Sequence, residues 1–316
     1  MTISLEAWLD AINHDYLDGY VPSGGSAIKF AVTDRTDANL VDELLDYARE
    51  RRFVTAVVDG AATRVGRIDQ VFCAIALQVP WRDLAAPVRA NAISAHGWQS
   101  PDSRPVTFDS LAEANGQMSV SVENRIQQWL TASVFLDYRM STEFRMAMMT
   151  LILDPMGTSV GETALHSSIL DWLTGQPLML SALRPAQIYQ RIARHNARDL
   201  LVSLGRWVQC AGRPGLHVVI DARTISLGRR TTGSLGSFYG RPQLIDMYEV
   251  FRQFIDAMDE LQHTLITVIL PAAFLSDDVR GLRAYPALEM RIAEEVRDRV
   301  HSNPLAAMVQ LSEVAP

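Results

Sequence analysis

Five short runs of apolar, largely β-branched residues limit what this chain can fold into: 27–32, 53–59, 215–221, 265–270 and 306–311. Most are nearly continuous rather than alternating, which is how a strand reads when helices cover both faces of a parallel sheet. A helix-period stretch lies between the first two, with Leu40, Leu44, Leu45 and Tyr47 on its inner side and Thr36 or Asp37 placed to cap it. A strand, a crossover helix and a second strand make a right-handed parallel unit. The second and third runs end in acids, Asp59 and Asp221. With 316 residues, 48% of them hydrophobic, the chain can build a full core in one large or two ordinary domains.

The rest of the chain reads as helix. Leu5, Trp8, Leu9, Ile12 and Leu17 recur at helical spacing, giving an N-terminal helix within residues 1–22 that Pro22, Gly24 and Gly25 end. Residues 23–316 then form the α/β body, interrupted by a long helical insertion at about 66–210. Its helices are expected over 68–77, 108–114, 120–138, 143–153, 162–173 and 185–210, and further helices over 244–261 and 286–300. The two cysteines, Cys73 and Cys210, sit apart in apolar helical settings and read as buried reduced thiols. No signal peptide opens the sequence, and no apolar run reaches the roughly 20 residues of a membrane helix, so a cytoplasmic protein without a membrane partner is expected.

A strand, a turn and a helix in that order is where a nucleotide-binding α/β protein keeps its phosphate loop. Such a loop needs glycines whose N–H groups wrap the phosphates, a lysine for the terminal phosphates and a hydroxyl for the metal. The turn Asp34-Arg35-Thr36-Asp37-Ala38-Asn39 has no glycine and no lysine, and carries two carboxylates that repel a polyanion. The chain has a single lysine, Lys29, placed in the middle of the first strand; its other 28 basic residues are arginine. No position can therefore supply Gly-Lys-Ser/Thr. None of the seven histidines shows metal-ligand spacing, and no Gly-x-Ser-x-Gly elbow is present. His217, within the third run, reads as a packed core residue. Neither a cofactor nor a metal is expected.

Several local strings, in order, resemble one family: Gly24-Gly25-Ser26-Ala27-Ile28-Lys29-Phe30, then Asp46-Tyr47-Ala48-Arg49-Glu50-Arg51-Arg52-Phe53-Val54-Thr55-Ala56-Val57-Val58, Asn196-Ala197-Arg198-Asp199-Leu200-Leu201, Gly215-Leu216-His217-Val218-Val219-Ile220-Asp221, and Asp277-Asp278-Val279-Arg280-Gly281-Leu282-Arg283-Ala284-Tyr285-Pro286-Ala287-Leu288. They resemble the AAA+-type ATP-binding proteins of BREX phage-defence systems, a P-loop NTPase group. The resemblance implies a three-layer α/β core with about five parallel strands and a large helical insertion. It also implies that the phosphate loop belongs at residues 33–39, and that Asp221 ends the strand whose acid holds magnesium. The family's next residue is a glutamate that orients the attacking water; here it is Ala222. The fourth strand, expected to end in a small polar sensor residue, ends Leu270-Pro271-Ala272. The family's C-terminal helical lid is not expected within these 316 residues. Thr36, Asp37 and Asp221 are thus vestiges of a nucleotide site, and the expectation is a catalytically inactive subunit of a larger complex.

One segment departs from the overall net charge of −7. Between Arg184 and Arg230 nine arginines face only Asp199 and Asp221. Arg191, Arg194 and Arg198 share one stripe if the region is helical, and Arg229, Arg230 and Arg241 flank a glycine loop with Phe238 and Tyr239 available for stacking. Three readings stand: a nucleic-acid face, a protein interface, or a solvated surface whose acidic partners come from elsewhere in the fold. The partners expected are an active ATPase or helicase, or further copies of this chain, with nucleic acid as a second class. Two alternatives to the inactive subunit remain, an ATPase using a reorganised pocket and a stand-alone nucleic-acid-binding protein.

Overall fold

A computed structural model describes residues 2–35, 39–101, 106–157, 163–225, 239–293 and 303–312. The chain divides into two compact units, one of residues 1–79 with 213–316 and the other Pro80–Gly212. The first holds a six-stranded sheet. Its strands are β1 (Thr2–Ser4), β2 (Ser26–Val32), β3 (Val54–Asp59), β4 (Leu216–Asp221), β5 (Thr264–Leu270) and β6 (Met308–Ser312). Every pairing is parallel, and the spatial order is β1-β6-β2-β5-β4-β3.

The five apolar runs all become strands, and β2 and β5 are buried along their whole length. The sixth strand, β1, lies at the start of the expected N-terminal helix, pairing Thr2 with Gln310 and Ser4 with Ser312. Three residues are too few to show a period, so this strand has no signature in sequence. Ser4 then caps the helix Leu5–Ala11 by accepting from the Ala7 N–H at 3.2 Å. The helix continues as a nine-residue π-helix, Ile12–Tyr20.

Both faces of the sheet are covered. On one, Trp8, Ile12 and Leu17 join Leu40, Leu44 and Leu45 against Ala27, Ala31, Val219, Leu265 and Ile269. On the other, Phe30 meets Phe251 of the helix Arg241–Asp256 edge to face, with ring centroids 5.7 Å apart. At the free edge of β3, Gln78 imitates a neighbouring strand. Its Oε1 accepts from the Val57 N–H at 2.9 Å and its Nε2 donates to the Val57 carbonyl at 2.7 Å. That occupies the edge groups another chain would otherwise pair with.

The second unit is helical in its described residues: Trp81–Ser94, Phe108–Ala114, Ser119–Leu130, Thr142–Gly157, Ala164–Leu173 and Ala197–Cys210, with π-helical Thr131–Phe135 and 3-10 Leu180–Ala186. The helix Trp81–Ser94 carries Pro87 inside it and had no counterpart in the sequence reading. The helix expected over 185–210 begins only at Ala197. Gln187 adopts φ 55°, and Asn196 ties the turn by accepting from the Ala193 N–H at 2.8 Å. Asp137 is the polar hub of this unit, accepting from Arg139 Nε at 2.8 Å and Arg206 Nε at 2.6 Å. Burial opposes its charge, but these hydrogen bonds prevail and hold its carboxyl down to about 2.

His217 is fully buried on β4, with Nε2 3.1 Å from the Thr267 hydroxyl. Burial alone pushes the imidazole down to about 3. Because the folded-state value lies below the unfolded one, only the unfolded chain takes the proton between pH 6.5 and about 3. Stability is therefore full above pH 6.5 and falls with pH, at about 1.4 kcal/mol per unit for this group. His217→Gln, which keeps a hydrogen-bonding group beside Thr267, is expected to lose about 2 kcal/mol less than the wild type between pH 7 and pH 5. Urea midpoints at the two pH values measure this; equal losses would show that His217 does not set the acid sensitivity.

Candidate functional site

Ligands of open α/β sheets lie outside the carboxyl ends of the strands, where the winding reverses direction. Here the reversal is at β2. From it the chain crosses to β3 at the far edge and returns through β4 and β5. It then places β6 on the other side of β2. The residues at the carboxyl ends are Thr33-Asp34-Arg35 after β2, Pro271-Ala272 after β5, Asp221-Ala222-Arg223 at β4, and Asp59-Gly60 at β3.

The backbone draws these ends together. The Thr33 N–H donates to the Leu270 carbonyl and the Ala222 N–H to the Ile269 carbonyl, each at 2.9 Å. The Gly60 N–H donates to the Asp221 carbonyl at 2.8 Å. A Cβ on Gly60 would stand 2.8 Å from that same oxygen, so only glycine allows the approach. Asp34 accepts from the Ala272 N–H at 3.2 Å, and Asp59 accepts from the Ala61 N–H at 2.8 Å.

At the centre is an ion pair between Asp221 and Arg223. Arg223 donates from Nε to Asp221 Oδ1 at 2.9 Å and from Nη2 to Oδ2 at 2.8 Å. The Arg223 backbone N–H adds a third bond to Oδ1 at 3.1 Å. The pair is largely out of water, with side chains 11% and 16% exposed. Bidentate, charge-assisted bonds of this kind are among the strongest polar contacts a protein makes. The remaining arm, Nη1, donates to the carbonyl of Arg35 at 3.0 Å. One guanidinium thus spans β5 and ties the end of β4 to the turn after β2. Arg35 points its own side chain toward Glu43, 3.6 Å away.

The described residues of this edge do not fit a magnesium–triphosphate. A phosphate cradle turns N–H groups inward; this turn presents the Arg35 carbonyl, and a cation already sits on it. The carboxylate that would hold the metal has both oxygens on Arg223. The helix Asn39–Glu50 behind the turn carries Asp42 in its first turn, where a bound anion would meet like charge. Among the described residues, no three His, Cys, Asp or Glu side chains converge as a metal-ligand set.

Thr36, Asp37, Arg229, Arg230 and Phe238 lie outside the described residues. Arg191 and Arg194 precede the helix Ala197–Cys210 and sit in a turn, so with Arg198 they form no helical stripe. Arg191 and Arg194 are exposed, and Arg191 donates to the Leu178 carbonyl at 2.9 Å. Arg241 is exposed at the first position of its helix in the sheet unit. Tyr239 is not available for stacking: it is buried, with its hydroxyl accepting from Val65 N–H at 3.0 Å and donating to the Thr63 carbonyl at 3.1 Å. Arg206 and Arg223 of the basic segment have acidic partners within their own units, Asp137 and Asp221.

Arg223 has one signal in sequence, its position two residues after an acid at a strand end. The same Asp–Arg spacing gives bidentate pairs at Asp137–Arg139 and, reversed, at Arg67–Asp69.

A family model described as "BREX system ATP-binding protein BrxC/D" matches residues 20–316. No curated protein matches the chain.

Removing one partner of a largely buried pair leaves an uncompensated charge, at a cost of about 3 kcal/mol. Arg223→Met and Asp221→Asn are each expected to lower the urea midpoint, and the double variant to recover much of the loss. A double-mutant cycle should give a coupling above about 1.5 kcal/mol. Additive losses would contradict the geometry.

Proposed function

The chain belongs to the BREX system ATP-binding BrxC/D family, and from that premise we propose that it is a catalytically inactive AAA+-like subunit. It serves a phage-defence assembly through contacts instead of turnover. The observation that carries this reading is the Arg223 bridge, which fills the place of the metal at Asp221 and covers the inward carbonyl of Arg35. Three further features agree with it. Lys29 lies mid-strand and buried, far along β2 from the turn, and donates to the Leu305 carbonyl. Ala222 stands where the family resemblance places the glutamate that orients water, and the end of β5 is Leu270-Pro271-Ala272.

In an assembly, such a subunit retains its docking faces. Protein partners are the primary expectation, an active ATPase or helicase or further copies of the chain. Exposed Arg191, Arg194 and Arg241 support a secondary contact with nucleic acid. Each phosphate contact removed should flatten the log-affinity against log-salt slope by about 0.9 for duplex DNA. Arg191→Ala/Arg194→Ala is therefore expected to reduce that slope by up to about 2; an unchanged slope assigns these arginines to another surface.

The competing reading keeps an enzyme in which Arg223 swings away and Asp221 takes the metal. Calorimetric titration with ATP and magnesium, together with a phosphate-release assay, separates the two. The inactive subunit gives no saturation below about 1 mM and no turnover above the blank. Micromolar, magnesium-dependent binding with turnover that Asp221→Ala abolishes would establish the enzyme.

A further inference from the structure

The segment joining the 3-10 helix Leu180–Ala186 to the helix Ala197–Cys210 carries charge of one sign. From Trp172 to Arg198 the sequence holds Arg184, Arg191, Arg194 and Arg198 and no Asp or Glu.

This segment is a built surface. Gln187 takes φ 55°, a left-handed conformation that turns the chain out of the 3-10 helix and persists only where its surroundings hold it. Trp172 Nε1 donates to the Gln190 carbonyl at 2.9 Å, and Gln190 Nε2 donates to Glu143 Oε1 at 2.6 Å. Asn196 Nδ2 donates to the Arg191 carbonyl at 3.0 Å, and its Oδ1 accepts from the Ala193 N–H. Helices on either side thus pin the backbone before any ligand arrives, which lowers the ordering cost of binding.

The pins also set which side chains face out. Ile188 is buried and Gln190 is drawn toward Glu143, while Tyr189 and Arg191 are exposed. Residues two apart on extended backbone share a face and lie about 6–7 Å apart. The Tyr189 ring, 68% exposed, therefore stands beside the Arg191 guanidinium. Arg191 gives one N–H to the Leu178 carbonyl at 2.9 Å, which fixes the group with donors to spare. Arg184, whose carbonyl accepts from the Gln187 N–H at 2.9 Å, and Arg194 are exposed on the same segment.

A solvent-facing ring next to a fixed cation matches a ligand that offers a flat π-face and an anion at short spacing. Duplex DNA keeps its base faces inside the stack, whereas a single strand presents both base and phosphate. We propose that this face binds single-stranded nucleic acid, with one base stacked on Tyr189 and a neighbouring phosphate on Arg191. The inference rests on the nucleic-acid contact proposed above and names its form.

Fluorescence anisotropy on the full chain tests it with a labelled oligothymidylate, an abasic strand of equal length and a duplex of equal length. The oligothymidylate should bind at least about fivefold more tightly than either counterpart. Tyr189→Ala should erase that preference and Tyr189→Phe keep it, each with a thermal midpoint within a few degrees of wild type. Arg191→Ala should flatten the log-affinity against log-salt slope for the single strand by about 0.7, a slope that Tyr189→Ala leaves unchanged. Oligothymidylate binding no tighter than either counterpart, or a preference that survives Tyr189→Ala, would overturn the stacking and leave a backbone contact standing. Binding of neither strand nor duplex would overturn both readings and assign the face to an acidic protein surface.

Discussion

A parallel sheet covered by helices on both faces leaves its strand ends as the natural place for charge, and this sheet puts Asp221 at the end of β4. A carboxylate held largely out of water needs a cation, whether a metal with its ligands or a side chain. Here the cation is Arg223, two residues along the same chain. The choice has a structural consequence: the guanidinium has an arm to spare and fastens the turn after β2 through the Arg35 carbonyl. A metal would accept that carbonyl oxygen as a ligand, but it would also draw phosphates. Here the arginine makes that closure with its own guanidinium.

The division of labour between lysine and arginine follows the same chemistry. Guanidinium groups hold carboxylates side-on at Asp221, Asp137 and Asp69, as their planar fork suits. The one lysine is used where a compact charge must gather carbonyls from a bending segment, just before β6. Where a phosphate-binding chain would place its lysine in the turn after the strand, this chain buries its only one inside the strand.

Much of the fold was legible because the strands announce themselves as apolar runs; all five became neighbours in one sheet. What escaped is explained by the physics of each place. β1 has three residues, and its pairing with β6 is a contact between the two ends of the described chain that no local pattern encodes. The turn at 187–196 reads as helix by composition, but Gln187 in the left-handed region and the Asn196 side chain hold it open. In sequence Tyr239 reads as a stacking ring beside a glycine loop; its hydroxyl satisfies backbone at Thr63 and Val65, which only the folded neighbourhood shows. At the site, the sequence points to Asp221 at a strand end, and the structure places Asp221 at the end of β4. The partner escapes the sequence, since an arginine in a basic segment looks like surface until its acid is found.

The central claim is that the carboxyl edge of this sheet is closed from within. A crystal structure grown with magnesium and a non-hydrolysable ATP analogue tests it directly. The account requires Arg223 to remain bidentate on Asp221, with no nucleotide between β2 and β4. A magnesium ion on Asp221, with Arg223 displaced and phosphates seated against the turn after β2, would contradict it.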